Sequence, residues 1–457
     1  QREVGLILQG GLYNTVLRAL QQLGLADAFG AASIPLYVLN VTYPLLPDEI
    51  TRFCTGKRAV LVLEEGQPNF IEDAINAMLR RADINDTFVI GKEVLPVAGE
   101  YTGEVVLRGL TQFLQLSMPD GVDQALLALP GEAISDTRKN AAALLGQPVP
   151  PRPPGFCTGC PERPVFSALK LVEQEVGKIH ISADIGCHTF STLAPFNLGN
   201  TVVGYGLGLA SSSAVAPMFE RRVVSIMGDG GFWHQGLTSG IANAVFQNDD
   251  SVLIILQNGY SSATGAQQIP SSRNGVAPGT STIDIKSVLH SMGVQWVRSV
   301  TSFEVGTMLA TLREALSTSQ PGLKVIIADG ECQLEKQRRV RAENAQQLAA
   351  GQQVIRSRFG VDADLCSGDR SCIRLSGCPS LTLKDNPDPL RTDPVTTVNN
   401  SCVGCGTCGE VAHAATLCPS FYQAEILQNP GWFERTLDRL RRSMIKRLQR
   451  STAGESA

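Results

Sequence analysis

The sequence predicts an α/β protein in which two doubly wound open-sheet domains follow one another and a small cysteine-rich domain comes behind them. Three observations carry that prediction. Short apolar runs of strand length alternate with segments of helical periodicity through about the first 330 residues, the pattern of parallel sheets covered by helices. The stretch Gly146–Gly155 reads GQPVPPRPPG, which supports neither helix nor sheet interior and divides that region in two. Seven of the twelve cysteines crowd between Cys366 and Cys418.

Composition sets the outer bounds. A chain of 457 residues has the length of roughly three domains, and 43% hydrophobic with 18% charged residues is the balance of a globular protein. The net charge of −4 argues against broad nucleic-acid binding. No apolar run approaches the 18 or so residues needed to cross a bilayer, and no secretory signal pattern opens the chain, so the expected location is cytoplasmic. Cysteines in such a chain point to metal or redox chemistry rather than disulfides.

In the first domain, residues 1–146, Val4–Leu8, Leu36–Val41 and Ala59–Leu63 read as buried strands, and Tyr13–Leu23 and Phe70–Arg81 carry helical periodicity. Glu64, Glu65 and Asn69 follow a strand end, where capping and solvation are the expected roles. A stiff Pro-rich linker occupies 147–155. In the second domain, 156–335, the expected strands are Ile179–Ala183, Val223–Met227, Val252–Leu256 and Lys324–Ala328. Helices are expected near Arg163–Val176, Gly204–Met218, Leu237–Gln247, Asp284–Met292 and Phe303–Leu316. Gly204, Gly206 and Gly208 do not fit the dinucleotide fingerprint, and close helix packing accounts for them. A polar helical connector, 336–360, leads to the cysteine-rich domain, 361–422, and to a basic amphipathic helix and tail, 423–457. In that helix, expected at Trp432–Arg450, Phe433, Leu437, Leu440, Met444 and Leu448 share one face. Packing on the protein itself is the expected use of that face.

The chemistry concentrates at Val223–Gln268. An apolar strand breaks at Gly228-Asp229-Gly230, a helical segment follows, and a second apolar strand ends at Asn258-Gly259-Tyr260. Two parallel strands joined by a helix bring Asp229 and Asn258 to the same sheet edge, where open α/β folds bind ligands. A carboxylate and an amide oxygen suit a hard cation such as Mg²⁺, and the glycines admit a diphosphate. The GDG triplet, 27 intervening residues and then Asn258 resemble the signature of enzymes that bind thiamine diphosphate.

The cysteines fall into groups. Cys54 stands alone as a small buried hydrophobe. Cys157-x₂-Cys160, with Cys187 after Asp184-Ile185-Gly186 and Cys332 after the last strand, can form a four-thiolate site for either iron-sulfur or zinc. Cys402-x₂-Cys405-x₂-Cys408 resembles a bacterial ferredoxin motif whose remote member is Cys418-Pro419, nine residues on. Upstream stands a damaged copy, with Cys366, Asp369 and Cys372 at the spaced positions and Cys378-Pro379 as its remote member. Remote cysteines in two-cluster ferredoxins serve the other motif's cluster. One cluster is therefore expected on Cys402, Cys405, Cys408 and Cys378. The other is expected on Cys366, Cys372 and Cys418, with Asp369 as fourth ligand of a [4Fe-4S] centre or with a [3Fe-4S] centre instead.

The motifs together resemble the large subunits of the indolepyruvate (arylpyruvate) ferredoxin oxidoreductases, in the 2-oxoacid:ferredoxin oxidoreductase superfamily. The motifs that carry the likeness are Gly10–Asn14, Cys157–Arg163, Asp184–Cys187, Gly228–Gly230 and the cysteine-rich end. The resemblance implies a transketolase C-terminal-like first domain, a thiamine diphosphate-binding second domain and a two-cluster ferredoxin-like third. It makes the group at Cys157, Cys160, Cys187 and Cys332 a proximal [4Fe-4S] site, the first of three iron-sulfur clusters. It implies thiamine diphosphate and Mg²⁺ on Gly228, Asp229, Gly230, Asn258 and the Tyr260 carbonyl. It also implies a 2-oxo acid substrate, coenzyme A as acyl acceptor, and ferredoxin or a similar carrier. Family members carry a pyrimidine-binding domain ahead of this region, with a glutamate that activates the coenzyme. These 457 residues do not contain it, so a second subunit or chain is expected to supply it, in a hetero-oligomer. Two rivals stand beside that expectation: a nonoxidative thiamine-dependent decarboxylase, and an electron-transfer subunit without catalysis of its own.

Overall fold

The computed structural model describes residues 3–66, 68–146, 154–274 and 276–453, with the side chains of 126 and 448–453 left aside. Most of the proline-rich linker, 147–153, and the final residues, 454–457, lie outside the described residues. The chain divides into two compact units, Gln1–Arg152 and Pro153–Ala457.

The first unit is a four-stranded parallel sheet in the order β2-β1-β3-β4. Its strands are β1 Val4–Gln9, β2 Leu36–Leu39, β3 Ala59–Leu63 and β4 Phe88–Ile90, and its helices are α1 Tyr13–Gln22, α2 Pro47–Cys54, α3 Phe70–Arg81, α4 Gly103–Ser117 and α5 Leu129–Leu145. Successive strand residues point to opposite faces. Leu6, Leu8, Leu61 and Leu63 pack with α1 and α4, and Ile7, Val60 and Val62 pack with α2 and α3. β2 ends at Leu39, short of the expected Val41, which is exposed. Glu64 accepts the backbone N–H groups of Ile71 and Glu72 and so caps α3, while Glu65 accepts from Tyr101 N. Cys54 is buried in the apolar cluster below.

The second unit holds a six-stranded parallel sheet, ordered β6-β5-β7-β8-β10-β9. Its elements run α6 Glu162–Val176, β5 Ile181–Ala183, β6 Thr201–Val202, α7 Gly208–Val215, β7 Val224–Gly228, the single turn α8 Asp229–Gly231, a π-helix Phe232–Ile241, α9 Ala242–Phe246, β8 Val252–Gln257, α10 Ile285–Ser291, β9 Trp296–Thr301, α11 Val305–Ser317 and β10 Lys324–Asp329. Ile226, Ile254 and Ile326 meet α6 and α11 on one face, and Met227, Leu253, Ile255 and Val325 meet α7, the π-helix and α10 on the other. Chain order reverses between β5 and β7, which opens a crevice at their C-terminal ends, the place where such sheets bind ligands.

Beyond the sheet come α12 Gln333–Ala349, β11 Val354–Val361, α13 Ser371–Ser376, β12 Leu381–Lys384, β13 Val395–Val398, α14 Thr407–Thr416, β14 Phe421–Gln428 and α15 Trp432–Ala453. The connector is thus helical only to Ala349. Residues 354–361 pair antiparallel with 421–428 through eight positions, because their alternating apolar and polar residues suit an edge ribbon better than a helix. β12 and β13 form a second antiparallel pair, and α13 packs on α14. The expected packing of the C-terminal helix on its own protein is absent among the described residues: Trp432, Phe433, Leu437, Leu440 and Met444 are all more than half exposed. No helix among the described residues is long and apolar enough to cross a membrane.

Candidate cofactor site and cysteine groups

The β5/β7 crevice contains a cavity of about 280 Å³ lined by Glu162, Cys187, Tyr205, Asp229, Asn258 and Tyr260 among others. Asp229 is fully buried in its wall. Its Oδ1 accepts from Gly230 N at 3.0 Å and its Oδ2 from Gly259 N at 2.7 Å. Burial outweighs these two donors and pushes its carboxyl up to about 8. A buried carboxylate without a cationic partner is costly, and a bound cation reverses that balance. Asn258 Oδ1 accepts from Tyr260 N and Ser262 Oγ at 3.1 and 2.8 Å, and its Nδ2 donates to Glu162 Oε1 at 3.0 Å. Glu162 therefore sets which way the amide faces. Asp229, Asn258 and the Tyr260 backbone bring hard oxygen donors to one cavity wall, a donor set that fits Mg²⁺ carrying a diphosphate.

Local packing explains the glycines. A Cβ on Gly230 would lie 2.2 Å from the Tyr205 hydroxyl, and one on Gly231 would lie 2.0 Å from Asp184 Oδ2. Asp184, also fully buried, accepts from Gly206 N at 2.8 Å, Gly228 N at 3.4 Å and His188 Nε2 at 2.8 Å, and so ties β5, the glycine turn and β7 together. Burial alone would lower the His188 pKa, but its bond to Asp184 and the charges of Asp184 and Glu162 raise it above the ordinary imidazole value. The π-helix continues directly from Asp229, eight residues ahead of the expected start at Leu237; insertions of this kind recur at functional sites.

All twelve cysteines are free thiols. Burial raises the Cys157, Cys160 and Cys187 thiols, the last to about 12, and charge from neighbouring thiols raises them further. Cys157 feels Cys332, Cys160 feels Cys187, and Cys187 feels both Cys332 and Cys157. The four form one neighbourhood. A second consists of Cys408 with Cys378, Cys405 and Cys402, and a third of Cys372 with Cys366 and Cys418; in each, burial is the larger cause of the raised pKa and thiol neighbours add to it. Asp369 stands between Cys366 and Cys372 in the chain. It is exposed, and its Oδ1 and Oδ2 accept from Ser371 N and Oγ at 3.0 and 2.8 Å, which makes it a turn residue at the head of α13. No group of three or more His, Cys, Asp and Glu side chains among the described residues converges to hold a single metal ion.

The first group touches the cofactor cavity. Cys187 lines it, Glu162 stands two residues after Cys160, and Cys332 N donates to Asn258 O at 3.0 Å. α6 then joins this region to the cysteine-rich segment, since Ser167 Oγ donates to Leu375 O at 2.7 Å and Arg163 Nη1 to Ser376 O at 3.2 Å. Arg163 is fully buried, with Nε and Nη2 unpartnered, and its charge favours the thiolates of Cys157 and Cys160. Raised thiols around an unpartnered buried cation fit a thiolate-bound cluster, whose binding releases protons and supplies anionic charge.

Glu162, Asp184, Tyr205 and Ser262 were not singled out by sequence spacing. Glu162 meets Asn258 and Asp184 meets Gly206 across 96 and 22 positions, which no local pattern encodes, while Ser262 bonds Asn258 only four positions away. The only signal was position, with Glu162 and Asp184 inside the two cysteine motifs.

Residues 184–328 match the family described as thiamine pyrophosphate enzyme, C-terminal TPP binding domain. The indolepyruvate oxidoreductase subunit IorA of Methanothermobacter thermautotrophicus is 26% identical over 436 residues, covering 91% of this chain and 60% of that protein. The IorA subunit of Thermococcus kodakarensis is 26% identical over 423 residues, covering 90% and 59%. The chain thus spans about 60% of the length of the curated relatives it matches. Among solved structures, a 2-oxoglutarate:ferredoxin oxidoreductase from Magnetococcus marinus aligns with 40% of this chain and 66% of its own at 16% identity. Its TM-score of 0.36 supports no argument. Over nine-tenths of its length, the chain is similar to the subunits its motifs resemble.

Proposed function

We propose that this chain is the diphosphate-binding and electron-relay part of a cytoplasmic, thiamine diphosphate-dependent 2-oxoacid:ferredoxin oxidoreductase. Its substrate is indolepyruvate or another arylpyruvate, and the products are an acyl-CoA, carbon dioxide and reduced ferredoxin or a similar carrier. The observation that carries this reading is the shared cavity wall: Asp229 and Asn258 stand on it with Cys187, and Cys332 is bonded to the Asn258 backbone.

In this reading Asp229, Asn258 and the Tyr260 carbonyl hold Mg²⁺ and through it the diphosphate, while Gly228 and Gly230 keep the wall open. Glu162 orients the Asn258 amide so that its oxygen, not its nitrogen, is offered to the cation. Thiamine diphosphate, when bound, supplies the electron sink that a 2-oxo acid needs to lose carbon dioxide. Cys157, Cys160, Cys187 and Cys332 hold the proximal [4Fe-4S] cluster. Cys402, Cys405, Cys408 and Cys378 hold a second [4Fe-4S] cluster, and Cys366, Cys372 and Cys418 a third. Because Asp369 is engaged by Ser371, the third site offers three protein ligands, which favours a [3Fe-4S] centre. Such centres transfer single electrons. A pyrimidine-binding domain outside these 457 residues, on a second subunit or in a longer product of which this chain is part, supplies the activating glutamate.

The test is iron, sulfide and thiamine analysis of the purified complex, with EPR before and after addition of indolepyruvate or phenylpyruvate plus coenzyme A. Substrate-dependent reduction of clusters is expected. A complex whose clusters stay oxidised is not this enzyme, and clusters without thiamine would mark a pure electron-transfer subunit.

A further inference from the structure

One cleft outside the cofactor cavity is strongly basic. It has a volume of about 370 Å³ and lies between α12, β11 and the 400–404 loop. Lys336, Arg341, Arg356 and Arg358 line it, together with the exposed Ile355 and the buried Cys402. No carboxylate is among its lining residues, and among the described residues none of these four cations forms an ion pair. The contrast along α12 is informative. Arg338 and Arg339 are neutralised by Glu335, Glu331 and Glu343, while Lys336 and Arg341 are left free over the cleft. On β11, Arg356 and Arg358 stand two residues apart and so share a side of the strand. Arg356 Nε is buried and without a partner. A chain with a net charge of −4 has thus gathered four unpaired cations beside one cysteine of its second thiol group.

We propose that this cleft is the docking site of an acidic iron-sulfur electron carrier. The inference rests on the electron-relay reading above. Carboxylates on the carrier would pair with the four cations and speed encounter, as complementary charge does. Ile355, on the strand's other side and exposed, adds apolar surface next to the arginines, the mixture found at protein interfaces. A small phosphate-bearing ligand would need the charge but gains nothing from a redox centre at its side, so the position of Cys402 favours the protein carrier. In each transfer one electron leaves the cluster on Cys402, Cys405, Cys408 and Cys378, which is oxidised, and enters the carrier's cluster, which is reduced. No bond is made or broken and no proton moves.

The experiment measures binding of a purified acidic two-[4Fe-4S] ferredoxin to the cluster-loaded full chain by calorimetry, from 50 to about 300 mM NaCl, where exposed charge pairs are progressively screened. Affinity is expected to fall with salt and to drop at least tenfold in the Arg356→Gln/Arg358→Gln variant, with iron content and EPR spectra unchanged. Because Arg356 is partly buried, Lys336→Gln/Arg341→Gln, on the helix, is measured in parallel and is expected to lose affinity in the same direction. Equal affinity in a loaded variant, or binding insensitive to salt, overturns the proposal. So does displacement of the ferredoxin by millimolar inorganic phosphate or coenzyme A at constant ionic strength, which would make the cleft a small-anion site. A preparation without iron and sulfide overturns the relay reading and this one with it, whereas a loaded chain that fails to bind overturns the docking site alone.

Discussion

Gly208 shows how a single residue settles the meaning of the glycine-rich turn. A Cβ there would meet Asp184 N at 2.8 Å, the Ala183 carbonyl carbon at 2.9 Å and Ile226 O at 3.0 Å, all of them backbone atoms that cannot swing aside. Gly206 is held in the left-handed region at φ 82°, with its N–H on Asp184. Gly208 serves contact between α7 and the strands β5 and β7, and Gly206 serves contact with the turn at Gly231 and the π-helix, close packing in both cases. Helix propensity would favour alanine over glycine by about 1 kcal/mol within α7. Overlap with three backbone atoms opposes that gain, and overpacking typically costs about 1–3 kcal/mol. Gly208→Ala is therefore expected to lower the urea midpoint with no change in the slope of the transition. An unchanged or higher midpoint would show that α7 can slide away from β5 without loss.

At the scale of elements, the β7–π-helix–β8 unit is where sequence and structure agree most usefully. Apolar runs followed by Gly-Asp-Gly and Asn-Gly located both strand ends, because buried parallel strands are continuous in hydrophobicity and end where glycine begins. The π-helix between them was not legible, since one extra residue per turn leaves the local pattern helical. β9 and β4 also went unread. Trp296–Thr301 mixes buried and exposed residues without strict alternation at a sheet edge, and Phe88–Ile90 is only three residues long. The Asp229 ligand tests the unit as a whole. Saturating thiamine diphosphate with Mg²⁺, at one hundred times Kd, should stabilise the chain by about 2.7 kcal/mol, visible as a raised Tm. In Asp229→Asn that ligand-induced rise should vanish, while the ligand-free Tm stays level or falls, because the amide nitrogen cannot accept one of the two backbone N–H bonds that the carboxyl oxygens now accept. A variant that keeps the full ligand-induced rise would take the cation away from Asp229.

For the whole molecule, the decisive contrast is between the two parallel sheets and the segment 354–428. Each sheet is flanked by extensive apolar clusters on both faces. The segment buries Val354, Cys366, Cys372, Leu381, Val395, Cys402, Cys408, Val411 and Ala412, four of them cysteines, and its own cluster is only Cys372, Leu381, Cys408 and Ala412, with Cys378, Cys418 and a few partly buried apolar groups around it. That is too little apolar burial to hold some 75 residues, and small domains of this kind depend on staples or metals. The cysteines that sequence spacing assigned as ligands therefore occupy the positions a core would fill. Metal binding and folding of the segment should be one event, as in other domains whose ligands come together only on folding. Removing iron with a chelator under reducing, anaerobic conditions is expected to abolish amide-exchange protection in β11, α13, α14 and β14. β7, β8 and β10 should keep theirs, since most of the residues that bury them come from α6, α7, α10, α11 and the π-helix. α6 should show an intermediate loss over its first turns, where Arg163 and Ser167 hold carbonyls of α13. Restoring iron and sulfide should bring the protection back. Unchanged exchange in the segment after complete iron loss would mean that its small apolar core suffices, and the clusters would then be passengers in a fold that stands without them.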